Sequence, residues 1–139
     1  MAMAVFAMLV LAGGATLLSG MKIFSPKPLL HVEGLVVLIT AGILYRELAA
    51  SWLQFAVLFL APDLFMLGYC LGLKRGAAIY NAGHTYAAPF LLWLVVYFAH
   101  QPSLFPICVI WVAHIGFDRM LGYGLKYDTA FKDTHLVKV

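Results

Sequence analysis

The stretch from Gly76 to Phe117 contains no Asp, Glu, Lys or Arg. A water-facing surface needs about a quarter of its residues charged, so this stretch cannot be covered by a normal soluble surface. Across all 139 residues only 11% are charged and 64% are hydrophobic, and the mean hydropathy is +0.95. We therefore expect an integral membrane protein that forms one domain over residues 1–139, with the lipid bilayer as its surroundings.

Charge and cysteine content exclude other classes of protein. The net charge of +3 comes from cations that lie singly or in pairs, without the basic stripe that a nucleic-acid-binding domain presents. Cys70 and Cys108 both lie in apolar stretches and form neither a disulfide framework nor a thiolate metal motif. We therefore expect no nucleic-acid partner.

Long apolar runs predict membrane-spanning helices, each of which needs about 20 predominantly apolar residues. His100-Gln101-Pro102-Ser103 predicts a turn that divides the uncharged stretch into two helices. Three earlier spans are predicted at Met1–Gly20, Leu29–Tyr45 and Ala49–Leu73. The expected fold is an all-α polytopic bundle of five spans, namely an additional N-terminal helix (residues 1–20), a four-helix core (29–121) and a cytoplasmic tail (122–139).

Positive charges divide unequally between the connections of these spans. When the connections alternate across the membrane, only Arg46 among the nine Lys and Arg residues falls on one side. Because Lys and Arg collect on the cytoplasmic side, we expect the N-terminus outside and the C-terminus in the cytoplasm. The residues on the cytoplasmic side are Lys22, Lys27, Lys74, Arg75, Arg119, Lys126, Lys132 and Lys138.

Ionisable residues inside the predicted spans gather at one depth. With a helical rise of about 1.5 Å per residue, Asp63 falls at or just below the midplane, and His84, His114 and Asp118 fall in the cytoplasmic half. His114 and Asp118 are one turn apart and share a helix face. Pro62 removes a helical hydrogen bond, so we expect the third span to bend beside Asp63. These positions predict a polar cavity that opens to the cytoplasm.

The same residues resemble a known family. The resemblance rests on Pro62-Asp63, on Tyr80-Asn81 with His84, on His114 with Asp118-Arg119, and above all on Gly122-Tyr123-Gly124-Leu125-Lys126-Tyr127 and Phe131-Lys132-Asp133-Thr134-His135-Leu136. These motifs resemble the bacterial membrane family described as domain of unknown function 4260, over roughly Leu29 to Leu136. The resemblance implies a compact four-helix membrane core with a cytoplasmic tail and brings no established activity. The Met1–Gly20 segment lies outside that core.

Acid–base catalysis is the function that these residues favour. A charge near the bilayer centre costs at least about 2.5–3.5 kcal/mol, whereas an interhelical polar bond contributes only about 0.6 kcal/mol, so packing alone is a poor reason for such a set. We expect Asp63 to act as the general acid and Asp118 as the complementary base. Arg119 would keep Asp118 ionised, His114 would relay the proton, and His84 completes the catalytic set.

The expected substrate is a lipophilic small molecule that is isomerised, cyclised or opened hydrolytically, as an epoxide is. No cofactor is expected for this chemistry. Five further side chains would bind or orient the substrate: Glu33, Tyr80, Asn81, Trp111 and Tyr123.

Three alternatives stay open at this stage. A metal-dependent membrane enzyme would hold Zn or Fe with ligands drawn from Asp63, His84, His114, Asp118 and His135. A small proton-coupled transporter would use the buried Asp and His residues as a relay. A structural subunit would use the polar network to lock its helices, and assembly into a homo-oligomer is compatible with each of these functions.

Overall fold

A computed structural model describes residues 24–139 of the chain. The predicted N-terminal helix Met1–Gly20 lies outside the described residues. Residues 24–139 are all-helical, as predicted, and include no strand apart from an isolated antiparallel bridge between Lys126 and Thr134. The helices are α1 (Pro26–Glu47), α2 (Trp52–Leu58), a 3₁₀ helix (Ala61–Leu71), α3 (Leu73–Gly83), α4 (Ala87–Phe98), a 3₁₀ turn (Pro102–Leu104), α5 (Phe105–Leu121) and α6 (His135–Lys138).

Three helical segments in the described part are long and apolar enough to cross a membrane. They correspond to the predicted second, third and fifth spans. The middle one joins α2 to the 3₁₀ helix that follows it. Their bounds are Pro26–Glu47, Trp52–Leu71 and Pro102–Leu121.

The predicted fourth span is divided into α3 and α4. His84, between the two helices, has φ −114° and ψ 16°, outside the helical range. Pro89 explains the break, because it has no N–H to donate to the carbonyl of Thr85 and therefore fits best in the first turn of a new helix. α4, with 12 residues, is too short to cross the hydrocarbon core by itself.

Helices α1 and α5 form the centre of the bundle. Gly34 permits their close approach, since a Cβ atom there would lie 2.5 Å from the backbone nitrogen of Met120. At the same end of the pair, His31 Nδ1 lies 2.7 Å from the carbonyl oxygen of Met120 and donates a hydrogen bond to it. Tyr45 and Ile115 are fully or almost fully buried along these helices. The start of α1 is thus fixed beside the end of α5.

The third span changes its helical winding where Pro62 predicted a bend. α2 ends at Leu58, and the chain continues as a 3₁₀ helix whose first turn contains Pro62 and Asp63. The backbone N–H of Asp63 donates to the carbonyl of Leu60 over 3.1 Å, which is the shorter-range pattern of a 3₁₀ helix. Gly72, at φ +98°, then reverses the chain into α3, a conformation that other residues rarely adopt.

The segment after α5 folds back onto the bundle. The side chain of Asn81 brackets the backbone of Lys126, donating to its carbonyl over 2.8 Å and accepting from its N–H over 2.7 Å. The N–H of His135 donates to the carbonyl of Leu125 over 3.0 Å, and Leu136 is fully buried. The predicted tail is therefore a docked part of the fold.

Candidate functional site

Four predicted catalytic residues converge in the structure: Asp63, His84, His114 and Asp118, called the His/Asp cluster below. The Nε2 atoms of His84 and His114 lie 3.2 Å apart. Asp63 Oδ1 lies 3.6 Å from His84 Nε2 and 3.7 Å from His114 Nε2. Asp118 Oδ2 lies 3.6 Å and 3.8 Å from the same two nitrogen atoms. Each carboxylate therefore lies close to both imidazole nitrogens.

Two of the four cluster residues lie where a regular helix is interrupted. Asp63 enters it from the first turn of the 3₁₀ helix, and His84 enters it from the break after α3. His114 and Asp118 come from adjacent turns of α5, as their spacing predicted. The cluster therefore lies where two irregular backbone segments face one regular helix.

Hydrogen bonds fix the orientation of His84. Its Nδ1 lies 2.9 Å from the carbonyl oxygen of Tyr80, and because a carbonyl can only accept, Nδ1 carries the proton. His84 Nε2 then carries a lone pair that points into the cluster. His114 Nδ1 is buried and has no hydrogen-bond partner among residues 24–139, and its ring packs edge-on against Phe59 with centroids 5.5 Å apart.

Tyr80 contacts two members of the cluster. Its hydroxyl donates to Asp118 Oδ2 over 3.3 Å, and its ring stacks on the His84 ring with centroids 3.8 Å apart. Tyr80 was predicted to bind substrate. In the structure it orients Asp118 and His84, and it is itself buried.

Three members of the cluster are buried, and the fourth, Asp63, is accessible. His84 and His114 are 0% and 1% exposed, and Asp118 is 8% exposed. The side chain of Asp63 keeps 41% of its surface accessible. A molecule that approaches the cluster therefore meets Asp63 first.

Arg119 was expected to keep Asp118 ionised, and the two side chains form no direct ion pair. The guanidinium of Arg119 donates to the carbonyl of Tyr123 over 2.7 Å and to the carbonyl of His84 over 2.9 Å. The second bond satisfies a carbonyl that the break after α3 leaves without a helical partner, as buried irregular backbone requires. Arg119 positions His84 and the end of α5.

The structure places the remaining predicted residues away from the cluster's four reactive groups. Trp111 Nε1 donates to the carbonyl of Gly83 over 2.7 Å and so supports the same break. Asn81 holds Lys126, and Tyr123 contributes its carbonyl to Arg119 while its ring is exposed. Glu33 is exposed on α1. His135 Nδ1 accepts the N–H of Leu125 over 2.8 Å, so this alternative metal ligand belongs to the tail.

Lys126, in the docked tail, lies against aromatic rings beside the cluster. Its Nζ lies 3.4 Å from the ring centroid of Phe131 and 4.7 Å from that of Tyr80, and it donates to the carbonyl of Phe131 over 2.9 Å. Burial lowers the pKa of the Lys126 ammonium, and the nearby carboxylates of Asp118 and Asp63 oppose that effect. Lys126 therefore joins the tail to the aromatic rings beside the cluster. The long tail motif was the one signal of this role.

Two apolar hollows border the helices. One of about 160 Å³ lies between the 3₁₀ helix and α5 and is lined by the neighbours of the cluster, including Pro62, Phe65, Ile110 and Trp111. A larger one of about 410 Å³ lies between α1, α4 and α5, where no cluster residue lines it. No cluster residue lines the smaller hollow either, but Pro62 and Trp111 in its wall come directly before Asp63 and one turn before His114.

Comparison with known proteins gives one family. Neither the curated proteins nor the solved structures contain a match to the chain. The family model described as domain of unknown function (DUF4260) matches residues 27–139, which include α1 to α6 and the whole His/Asp cluster. Since that match covers most of the sequence, the chain belongs to the family described as domain of unknown function 4260.

Proposed function

We propose that this protein is a membrane-embedded enzyme that performs acid–base chemistry on a lipophilic small molecule at the His/Asp cluster. The observation that carries the proposal is the convergence of two carboxylates on two facing imidazole nitrogens, all within 3.2–3.8 Å. The reaction is an isomerisation, a cyclisation or a hydrolytic ring opening.

The proposal includes a particular membrane arrangement. α3 and α4 follow each other on either side of a short break, and together they form a fourth crossing between α2 with its 3₁₀ helix and α5. Irregular backbone at membrane depth survives only where protein or a polar cavity satisfies it, and the bonds from Trp111 and Arg119 meet that condition. The Met1–Gly20 segment adds the fifth crossing. The C-terminal tail lies in the cytoplasm.

The cluster's geometry argues against a purely structural lock. Separations of 3.6–3.8 Å between imidazole nitrogens and carboxylate oxygens are too long for hydrogen bonds. A network that existed to hold helices together would close these contacts, since unpaired charge in an apolar region is costly. Inside the cluster the two histidines are hydrogen-bonded to each other, and Tyr80 holds His84 and Asp118 from outside, as second-layer partners hold reactive groups.

Each cluster residue has a proposed role. Asp118 is the base, because the hydroxyl of Tyr80 donates to its Oδ2 and fixes that oxygen beside the two imidazoles. His84 and His114 pass the proton between the carboxylates. Asp63 is the member that touches the substrate or an attacking water, because it alone among the four is substantially exposed. These assignments keep Asp63 and Asp118 as the complementary pair.

The smaller hollow suggests how a lipophilic substrate is held. Pro62 lines it directly before Asp63, and Trp111 lines it one turn before His114. An apolar chain in this hollow would bring its attached reactive group to the open side of Asp63. The larger hollow lies on another face of α5 and takes no part in this proposal.

Comparison of lipophilic extracts tests the enzyme proposal. Membranes that contain the full chain should yield a compound that is an isomer of its precursor or differs from it by one water. Asp118→Asn should reduce that compound by at least about 100-fold, which is the usual contribution of a general base. Asp128→Asn, at an exposed tail position, is the matched control and should leave the yield unchanged.

Two results would count against this function. One is an extract identical to that of membranes without the protein. The other is full yield from Asp118→Asn. If Asp118→Asn lowers the melting temperature of the detergent-solubilised protein in proportion to the lost product, the helix-locking function is correct instead.

A further inference from the structure

From the same geometry we infer that the cluster binds one divalent first-row transition-metal ion, with Asp63 Oδ1, His84 Nε2 and His114 Nε2 as ligands and Asp118 beside the ion. The binding of the ion stands on distances and hydrogen bonds alone. With the ion bound, His84 and His114 would hold it and would not pass a proton, while Asp118 would keep its role as the base. Only this use of the ion in catalysis rests on the proposed function.

The three ligand atoms lie at the separations that a metal ion imposes. They form a triangle with sides of 3.2, 3.6 and 3.7 Å. The point equidistant from three such atoms in their common plane lies about 2.0 Å from each of them, which is the length of a bond from zinc to imidazole nitrogen or carboxylate oxygen. Hydrogen-bonded groups would approach more closely, to about 2.7–3.2 Å. Two of the three sides are too long for a direct hydrogen bond.

The protonation of His84 supports a positive occupant. Because His84 Nδ1 donates to the carbonyl of Tyr80, its Nε2 is a lone pair that faces the other two ligand atoms. A backbone carbonyl on the far nitrogen is the usual partner of a metal-binding histidine, since it fixes the tautomer and the ring orientation. A single proton between the two Nε2 atoms would satisfy those nitrogens and leave Asp63 without a partner.

Burial gives the site the form of a catalytic metal centre. Structural zinc sites are fully enclosed by four protein ligands, whereas catalytic sites have three and keep a position open for water or substrate. Here both imidazoles are fully buried and the exposed side of Asp63 leaves that position open. A carboxylate at membrane depth also requires a positive partner, and the side chains of Arg119 and Lys126 both donate to backbone carbonyls.

The donor set selects the class of ion. Two imidazoles and one carboxylate suit Zn²⁺, Fe²⁺ and the neighbouring first-row ions. Mg²⁺ and Ca²⁺ prefer oxygen ligands and are excluded by the two nitrogens. Metal analysis of the purified protein then separates zinc from iron.

Asp118 is placed to take a proton from a water bound to the ion. Its Oδ2 lies 3.6 and 3.8 Å from the two ligand nitrogens and accepts the hydroxyl of Tyr80. Asp118 would accept the proton that a water in the open position gives up, and the ion would supply the positive charge that favours this loss. A bound divalent ion makes this proton loss feasible near neutral pH.

Metal content of the full chain tests the inference without any assay of activity. Protein purified in detergent should contain about one zinc or iron ion per chain, measured by inductively coupled plasma mass spectrometry. After removal of the ion, added Co²⁺ should give the visible absorption of a low-coordinate cobalt site, and Zn²⁺ should displace it. His84→Gln, His114→Gln and Asp63→Asn should each weaken Co²⁺ binding by at least about 100-fold, since even outer partners of metal ligands contribute about 10–100-fold.

His135→Gln is the matched control, because His135 is a histidine of the same chain that lies outside the cluster. This variant should bind Co²⁺ as the wild type does. The inference is overturned if wild-type protein takes up neither Co²⁺ nor Zn²⁺, or if the three ligand variants retain wild-type affinity. Stoichiometric metal with no product in the extract assay would overturn the enzyme proposal alone. Product from metal-free protein would overturn the use of the ion in catalysis and leave its binding unaffected.

Discussion

Gly34 is a residue at which α1 packs closely against the backbone of α5. A Cβ atom there would meet backbone and Cβ atoms of Met120 and Arg119 at 2.5–2.8 Å, and neither helix can yield without moving the end of α5. We expect Gly34→Ala to destabilise the protein by about 1–3 kcal/mol, the usual range for an overpacked site. Thermal unfolding in detergent micelles measures the change.

Gly42 provides the control for that substitution. It lies on the same helix, and a Cβ atom there would have nothing within 4 Å. Gly42→Ala should therefore be neutral or stabilise the protein by up to about 1 kcal/mol, because alanine favours a helix more than glycine does. Equal effects at the two positions would show that helix propensity, and not the contact with α5, decides the result.

Individual residues differ in how far the sequence determines their neighbours. The one-turn spacing of His114 and Asp118 on a regular helix was enough to place both on one face. The partners of Arg119 were not predictable in the same way, because its guanidinium donates to the backbone carbonyls of His84 and Tyr123. Those acceptors exist only because α3 breaks and α5 ends where they do, and both facts belong to the tertiary structure.

The docking of the tail onto the bundle depends on pH. His135 Nδ1 accepts the N–H of Leu125, so the docked tail requires a neutral imidazole. Burial and the nearby Arg119 hold the pKa of His135 below its ordinary value. The docked state therefore binds fewer protons than the released one, and its stability is full above the ordinary histidine pKa of about 6.5 and falls as the pH drops below it.

Hydrogen exchange at the Leu125 amide measures this pH dependence. After correction for intrinsic exchange, protection should be several-fold lower at pH 5.5 than at pH 7.5. In His135→Gln the pH dependence should disappear, since glutamine offers an acceptor that does not titrate. Protection that is unchanged between the two pH values in the wild type would show that His135 is not the group that couples the tail to protons.

At the level of elements, the sequence predicted the regular helices better than the breaks. Pro62 was sufficient to predict the bend beside Asp63, because its lost hydrogen bond is a local property. The division of the fourth span was missed, since Pro89 lies three residues after the actual break and also fits an unbroken helix with a kink. The tail was expected on the cytoplasmic side, outside the bilayer. Because Leu136 is fully buried, truncation after Tyr127 would lower stability as well as any activity.

At the scale of the whole molecule, cationic segments meet at one end of the bundle. The hydrogen bond from His31 to Met120 sets the start of α1, with Lys27, beside the end of α5. The ring of Phe131 in the tail packs against Tyr69, near the turn that leads to Lys74 and Arg75, with centroids 5.0 Å apart. These contacts place on one face the connections that the sequence had grouped by counting charges.

The opposite end of the bundle carries Arg46 and the turn at Ser103. α1 has 22 residues and is therefore about 33 Å long, enough to separate the two ends by the thickness of a membrane core. Because Lys and Arg are retained on the cytoplasmic side, the end with Lys74 and the tail should face the cytoplasm, and Ser103 should face outward.

Cysteine labelling decides this orientation. Single cysteines at Lys74→Cys, Lys132→Cys and Ser103→Cys, all exposed positions, are placed in a chain in which Cys70 and Cys108 are replaced by alanine. In intact cells a membrane-impermeant maleimide should label Ser103→Cys, and it should label the other two only after permeabilisation. Labelling of Lys74→Cys or Lys132→Cys in intact cells would invert the orientation. It would also move the open side of the His/Asp cluster to the outer half of the bilayer, so that its substrate would have to arrive from outside the cell.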